Sequence, residues 1–290
     1  MLFVIDIRAQ MKMSHKIALA YLRTRLRVIA FISPQKAAKK AFTLFCTPRR
    51  RNQQNPSAII KKAELISFSI NNLTIRGYRW NHPSPEKILI VHGFESSARN
   101  FDGFILPLTD KGYEIIAFDA PAHGKSEGKE ITLPMYVQTL QHIVSEYGPF
   151  DAYIAHSFGG LAIAHLLETV PHNEKTKMVL IAPATETTTA IDGFFHLLLL
   201  NGKVRLAFDK LVRDKSGIPP EYFSIRRAMQ NISANVLWMH DEQDDITPFH
   251  DVEKVKNDNH PNIKFIISNG LGHRKIYRDK HTVNHILHFL

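Results

Sequence analysis

Residues 153–160 read YIAHSFGG, and this short stretch decides the fold prediction. An apolar strand ends there, a serine follows among small residues, and a helix-compatible stretch begins at once. Ala155 lies two residues before Ser157 and Gly159 lies two residues after it, which leaves the backbone room to turn sharply. A buried strand that turns directly into a helix is typical of a parallel α/β sheet.

The sequence on either side of this turn alternates between apolar runs and helix-compatible stretches. Apolar runs at 87–91, 114–118, 178–182, 236–240 and 263–268 predict strands, and 100–109, 133–147, 248–257 and 281–290 predict helices. Two β-like runs, 65–70 and 73–80, surround Asn71-Asn72, which suits a hairpin turn. Unbroken apolar strands separated by helices predict an α/β fold: a mostly parallel central sheet with helices on both faces.

The positive charge belongs to the N-terminal part of the chain. The whole chain carries 37 Lys and Arg against 27 Asp and Glu, a net charge of +10, yet residues 1–62 hold 14 Lys and Arg and only Asp6. A stripe at helical spacing is formed by Leu19, Leu22, Leu26 and Ile29. Ser33-Pro34 predicts the start of a second helix. We predict a basic helical extension over residues 1–62 and an α/β domain over residues 63–290.

Two interpretations of this extension stay open. A basic amphipathic helix can lie on an anionic membrane surface. The interpretation we favour is a helical hairpin packed on the α/β body with solvated arginines, because runs of charge are usually solvated faces. Residues 49–56 predict a polar linker. Nucleic acid is not an expected partner, because the segment lacks a recognisable nucleic-acid-binding motif.

Composition narrows the class of protein. No apolar run approaches the roughly 18 residues that a membrane-spanning helix needs. The first residues lack a basic region and a cleavage site, so we expect no secretory leader. One cysteine, Cys46, excludes an internal disulfide framework and is typical of a reducing compartment. We expect a cytoplasmic protein, with peripheral membrane contact as the alternative.

Polar candidates follow the ends of several predicted strands, where ligands bind in parallel sheets. Ser157 follows one strand, and His273 is the histidine that follows a late strand between glycines. An acidic cluster at 241–245 follows another strand. Such a cluster can also be a solvated turn, or a cation site together with His240 and His250. Its spacing matches no oxygen-rich metal loop, so we predict no metal.

Five short segments follow predicted strands in a fixed order along the chain. They are residues 92–94 (HGF), 119–126 (DAPAHGKS), 155–159 (AHSFG), 240–248 (HDEQDDITP) and 270–273 (GLGH). With these segments, residues 64–290 resemble an α/β-hydrolase fold enzyme of the esterase, lipase and acyl-hydrolase type. The chain departs from the family pattern where Ala122, Ala155 and Asp241 replace glycines. The order Ser, Asp, His is the one found in this fold.

The resemblance assigns a role to each motif. Ser157 is the expected nucleophile and His273 the general base that activates it. Asp244 is the expected acid that orients the imidazole, since its spacing to Pro248 matches the family. The rival acids are Asp245 first, then Asp241 and finally Glu186. The backbone N–H groups of Phe94 and Phe158 are the expected oxyanion hole.

Three further residues are expected to support the site rather than react. Asp119 is expected to fix the turn after its strand, His92 to support the oxyanion loop, and His156 to shape the turn at Ser157. The family inserts a cap at about 185–232, and residues 194–200 (FFHLLLL) are apolar. They suit either a lid over an acyl pocket or a helix buried against the sheet.

The resemblance therefore implies a serine hydrolase that cleaves a carboxylic ester or related acyl bond of a small molecule. The apolar run at 194–200 together with the basic amphipathic extension favours a lipid-like substrate slightly over a polar one. This route needs no cofactor. An acyltransferase would use the same three residues. A noncatalytic small-ligand-binding protein of the same fold is the other alternative, although it has no chemical need for all three.

Overall fold

The structure is a computed structural model that describes residues 13–49 and 56–290. The chain forms two compact units. One combines the described part of Met1–Cys46 with Glu186–Phe223, and the other combines the described part of Thr47–Thr185 with Ser224–Leu290. The expectation of no secretory leader concerns residues that lie outside the described ones. Residues 50–55 of the predicted linker also lie outside them.

A single sheet organises the larger unit. Its strands are β1 (Glu64–Ile70), β2 (Leu73–Trp80), β3 (Lys87–Val91), β4 (Glu114–Phe118), β5 (Ala152–His156), β6 (Lys177–Ile181), β7 (Asn235–Asp241) and β8 (Ile263–Ser268). Their order is β1-β2-β4-β3-β5-β6-β7-β8. β2 runs antiparallel to β1 and β4, and the remaining pairs are parallel. The predicted mostly parallel α/β sheet is confirmed.

The α-helices in the described residues are α1 (Met13–Ile32), α2 (Pro34–Cys46), α3 (Ala58–Lys61), α4 (Asp102–Asp110), α5 (Leu133–Tyr147), α6 (Phe158–Leu167), α7 (Thr187–Leu198), α8 (Gly202–Ser216), α9 (Ile225–Ala228), α10 (Phe249–Asn257), α11 (Gly272–Lys275) and α12 (Lys280–Phe289). Short 3₁₀ helices occupy Ala98–Phe101, Pro220–Tyr222, Met229–Asn231 and Ile276–Arg278. The predicted helix at 100–109 is a 3₁₀ turn followed by α4. The helix predicted at 133–147 has those bounds.

The hairpin between β1 and β2 follows from two asparagines. Asn71 and Asn72 have φ of 50° and 60°, and Ile70 pairs directly with Leu73. Asparagine tolerates this left-handed conformation better than most residues, and two such residues match the twist of the flanking strands. The predicted hairpin is confirmed.

Helices cover both faces of the sheet because its central strands have no polar face. In β3, Ile88 and Ile90 join a core with Phe104 of α4 and Ile286 of α12. Leu89 points to the opposite face, since side chains alternate along a strand, and is fully buried there as well. Unbroken apolar strands of this kind require cover on both sides.

The smaller unit has its own apolar core, built from helices that lie far apart in the chain. Phe208 of α8 is fully buried and contacts Phe42 of α2 and Phe195 of α7, with ring centroids 5.8 and 5.2 Å apart. The core also contains small residues of α2, namely Ala37, Ala38, Ala41 and Cys46. The N-terminal helical hairpin and the apolar run at 194–200 therefore share one core.

Leu26 of the apolar stripe predicted in α1 is buried, and Ile29 packs against this same core. Within residues 13–49 and 56–290, no helix has both the length and the apolar character to cross a bilayer.

Replacing Phe208 by alanine tests the shared core. Removing a buried phenylalanine typically costs about 3–5 kcal/mol, since it leaves a cavity as well as losing apolar burial. We expect this loss in the free energy of unfolding, measured by urea titration. Leu206→Ala is the control on the same helix, because Leu206 is 73% exposed. Equal effects of the two substitutions would contradict the shared core.

Candidate active site

Ser157 lies in a strained turn between β5 and α6. Its φ of 55° and ψ of −124° are unusual for a residue with a side chain and cost on the order of 1–3 kcal/mol. Neighbouring backbone holds the turn: the Ser157 N–H donates to Ile181 O at 3.1 Å, and the Ala184 N–H donates to Ser157 O at 3.0 Å. The turn predicted from residues 153–160 is present.

Close approach of the chain explains the glycines around the serine. A Cβ on Gly159 would lie 2.6 Å from the carbonyl oxygens of both Val91 and His92. A Cβ on Gly93 would lie 2.8 Å from the Cβ of Ser157. Ala155 is fully buried in β5, and its methyl group is accommodated in the core. The glycine after the serine is therefore required, whereas the position before it accepts alanine.

A continuous hydrogen-bonded path joins the three residues predicted to react. The Nδ1 of His273 lies 2.8 Å from Asp244 Oδ2, and its Nε2 lies 3.0 Å from Ser157 Oγ. A carboxylate only accepts hydrogen bonds, so Nδ1 carries the imidazole proton and Nε2 is left to accept from the serine hydroxyl. All three side chains are buried. The structure brings them together from the ends of β5, β7 and β8.

Asp244 is held as a carboxylate by several donors. Its Oδ1 accepts from the N–H groups of Ile246 and Thr247 at 2.9 and 2.8 Å. Burial alone would raise the pKa of Asp244, but the hydrogen bonds from His273 and from these two amides outweigh it. The pKa of the carboxyl therefore lies below its ordinary value.

Thr247 is a site residue that sequence reasoning missed. Its hydroxyl lies 2.8 Å from Asp244 Oδ2 and 3.1 Å from His273 Nδ1. Its carbonyl accepts from Nε2 of the buried His240 at 2.7 Å. An aspartate whose side chain accepts from backbone N–H groups just after it is a common turn pattern, so the sequence indicated the turn but not the contact of the Thr247 hydroxyl.

The rival acids lie elsewhere. Asp241 accepts from the N–H of Leu271 at 3.0 Å and from the Ser268 hydroxyl at 2.7 Å, so it ties the end of β7 to the loop that carries His273. Asp245 is exposed. Glu186 is the residue before α7 in the other compact unit. Only Asp244 among these four has a hydrogen bond to His273 in the described residues.

The loop after β3 is supported by buried neutral histidines. His92 donates from Nδ1 to Gly93 O at 2.8 Å and accepts at Nε2 from the Ala120 N–H at 2.9 Å. Burial lowers its pKa to about 4, so the ring is neutral at neutral pH. Tyr136 also holds this loop, since its hydroxyl donates to His92 O at 2.9 Å. Sequence reasoning did not identify Tyr136.

His156 positions the catalytic candidate His273 from the side. Its Nε2 donates to the backbone carbonyl of His273 at 3.0 Å, and the two ring centroids are 4.7 Å apart. Burial, with the nearby His273, lowers the pKa of His156 to about 3, so it stays neutral. His123 accepts at Nε2 from the Glu95 N–H at 3.0 Å and is a supporting histidine that sequence reasoning missed.

The turn after β4 depends on Asp119. Its two carboxylate oxygens accept from the N–H groups of Ala98 and Lys125 at 2.9 and 2.8 Å. A Cβ on Gly124 would lie 2.2 Å from the carboxylate, and Ala122 has a φ of 65°. Alanine therefore occupies a left-handed position where the family commonly has glycine, at a cost of about 1–2 kcal/mol.

Phe158 follows Ser157 directly in the chain, and Phe94 follows Gly93, whose backbone lies close to Ser157. Phe158 begins α6, and the first N–H groups of a helix have no partner within it. In the described residues, neither amide donates a hydrogen bond to the protein. Both are therefore free to donate to a ligand oxygen.

No group of three or more His, Cys, Asp or Glu side chains in the described part of the chain is arranged to hold a metal ion. In the acidic cluster, Asp241 and Asp244 accept backbone N–H groups, as described above. His250 is exposed and lies 3.3 Å from Asp251.

Comparison with known proteins gives matches of three kinds. A family model described as serine aminopeptidase, S33 matches residues 82–218. Over 100 residues the chain is 30% identical to the uncharacterized hydrolase YugF of Bacillus subtilis, which covers 32% of this chain and 35% of that protein. Over 232 residues it is 26% identical to the lysophosphatidylserine lipase ABHD12 of Danio rerio, which covers 74% of this chain and 60% of that protein.

The chain thus spans less than two thirds of the length of either curated relative. Among solved structures, the esterase Pf2001 of Pyrococcus furiosus superposes with a TM-score of 0.63 at 18% identity, covering 84% of this chain and 95% of that one. At this identity the likeness shows the fold. With the observed strand order and the turn at Ser157, the structural match shows that the chain has the α/β-hydrolase fold, and the family model supports its place in the α/β-hydrolase superfamily.

Proposed function

We propose that this chain is a serine hydrolase that cleaves a carboxylic ester or a related acyl bond through an acyl-enzyme on Ser157. The observation that carries the proposal is the path from Ser157 Oγ to His273 Nε2 and from His273 Nδ1 to Asp244, with distances of 3.0 and 2.8 Å. Both lie within the range in which a proton can pass between the groups.

In the first half of the proposed reaction, Ser157 Oγ attacks the acyl carbon while His273 Nε2 takes the hydroxyl proton. Asp244 stabilises the resulting imidazolium through Nδ1. The oxyanion of the tetrahedral intermediate accepts from the Phe94 and Phe158 amides. The bond to the leaving group then breaks, and His273 returns the proton to the leaving oxygen.

In the second half, His273 takes a proton from water, whose oxygen attacks the acyl carbon. The bond between the acyl group and Ser157 Oγ breaks, and the proton on His273 returns to the serine. The products are a carboxylic acid and an alcohol. An acceptor other than water would give acyl transfer by the same steps.

A lipid-like ester is the substrate class that we favour. The relative from Danio rerio that aligns with 74% of this chain is named a lysophosphatidylserine lipase. The exposed Phe94 and the half-buried Phe158 lie beside the proposed nucleophile with ring centroids 6.2 Å apart, which supports an apolar ligand there. A panel of esters, thioesters and amides of increasing chain length tests this preference.

Covalent labelling tests the nucleophile. We expect a fluorophosphonate probe to label the wild-type protein and not Ser157→Ala, because the probe forms a bond to an activated serine oxygen. Ser126→Ala is the control, since that hydroxyl donates to Asp119 O. Absence of labelling in folded wild-type protein would favour the noncatalytic binding protein instead.

Substitutions of two neighbouring aspartates distinguish the proposed acid, Asp244, from its rival, Asp245. Asp244→Asn is expected to lower kcat by about 10⁴, because an amide favours the wrong imidazole tautomer. Asp245→Asn should stay within a few-fold of wild type, since Asp245 is exposed. Steady-state kinetics on one activated ester measures both. The reverse order of effects would transfer the role to Asp245.

Thr247 provides a further test of the acid loop, by which we mean residues 242–248 between β7 and α10. Thr247→Val removes the hydroxyl that lies 2.8 Å from Asp244 Oδ2 with little change of shape. We expect kcat to fall about ten- to a hundredfold with KM nearly unchanged, because a hydrogen bond to a charged group contributes about 1.5–3 kcal/mol. Thr247→Ser should keep most of the activity. An equal loss in both variants would point to packing of the methyl group instead.

A further inference from the structure

Helix α1 has two apolar sides, and one of them is already occupied. Leu26 is buried, and Ile29 and Ala30 pack against the core of the smaller unit. Arg23 fastens the same side, since its Nε and Nη2 donate to Leu197 O at 2.9 and 2.7 Å. This inner side of α1 needs no further partner.

The other side carries large apolar residues in solvent. Six of them are between 57% and 93% exposed: Met13, Ile17, Tyr21, Val28, Phe31 and Ile32. At about 100° per residue they fall within an arc of about 100° that runs along the helix for about 30 Å. We call these six residues the outer face of α1. The polar residues within this arc, Ser14 and Thr24, are small and uncharged.

Scattered exposed apolar residues are normal, but a continuous stripe of this length marks an interaction surface. Phe31 is almost fully in water at 93% exposure. A helix that packs one apolar side inward and presents a second one outward is unlike an ordinary surface helix, whose outer side is polar.

Charge indicates what covers the outer face. Residues 13–49 carry eight Lys and Arg and no Asp or Glu. By helical position, Lys16 and Arg27 lie along one edge of the outer face and Arg25 along the other, and all three are exposed. Long basic side chains at such borders reach from an apolar layer to polar headgroups. This arrangement complements an anionic lipid surface.

We propose that the outer face of α1 docks this protein on anionic membranes, with the helix lying in the plane of the interface. The apolar stripe enters the boundary of the acyl chains while the bordering cations contact anionic headgroups. This proposal goes beyond the hydrolase function and does not depend on Ser157. The outer face is also not the apolar stripe predicted from the sequence, because Leu26 and Ile29 of that stripe belong to the inner side.

Vesicle co-sedimentation of the full chain tests this proposal. We expect the wild type to bind vesicles of phosphatidylcholine with phosphatidylglycerol at least tenfold more strongly than vesicles of phosphatidylcholine alone. Raising the salt should weaken this binding, since the headgroup attraction is screened. Ser157→Ala should bind equally, because docking is separate from the proposed chemistry.

Two double variants distinguish the outer face from general exposure. Ile17→Ser with Phe31→Ser should lower binding to the anionic vesicles roughly tenfold or more, since each residue loses apolar burial in the bilayer. Leu65→Ser with Leu206→Ser, which are 77% and 73% exposed elsewhere, should leave binding unchanged. All four positions are exposed, so unchanged unfolding midpoints verify that both variants fold.

Three results would overturn the proposal. The first is no binding of the wild type to anionic vesicles. The second is equal loss of binding in the two double variants. The third is a wild-type dimer that Ile17→Ser with Phe31→Ser converts to a monomer without any lipid, since the outer face would then be covered by a second copy of the chain.

Discussion

The contact between the turn after β5 and the end of β3 is the constraint on which the site depends. Gly159 can approach the carbonyls of Val91 and His92 only because it has no Cβ. That approach holds Ser157 at a φ of 55°, which aims its hydroxyl toward His273. Hydrogen bonds between this turn and the backbone at and just after the end of β6 offset the free energy of the strained conformation.

Asp241 at the end of β7 and Asp244 in the acid loop that follows have different structural roles. Asp241 accepts from the Leu271 N–H and the Ser268 hydroxyl, so it holds the loop that leads from β8 into α11, the helix that carries His273. Asp244 contacts the imidazole itself. Because both carboxylates accept several hydrogen bonds, each stays ionised although desolvation opposes its charge. Asp241 and Asp244 of the acidic cluster therefore hold different parts of the site in place through separate sets of hydrogen bonds.

The strand periodicity, the hairpin at Asn71-Asn72 and the turn at Ser157 could all be predicted, because each depends on residues that are neighbours in the chain. Asp244 could be selected over Asp245 only through a motif spacing. The structure gives a physical reason for choosing Asp244, because its side chain is buried while that of Asp245 is exposed. Thr247 and Tyr136 could not be found with the same certainty, because a hydroxyl residue in a loop or a helix has many possible partners until the fold selects one.

The amino-acid sequence by itself determined the α/β class and the strand-turn-helix geometry at the serine, since period and steric size act locally. The aspartate and histidine expected to act with that serine were selected through their resemblance to family motifs. Tertiary structure alone decided which apolar side of α1 is buried. The stripe that contains Leu26 and Ile29 and the stripe that contains Ile17 and Phe31 both have helical spacing. In the folded chain Leu26 is buried and Ile29 packs against the core that contains Phe208 and Phe195, whereas Ile17 and Phe31 stay in solvent.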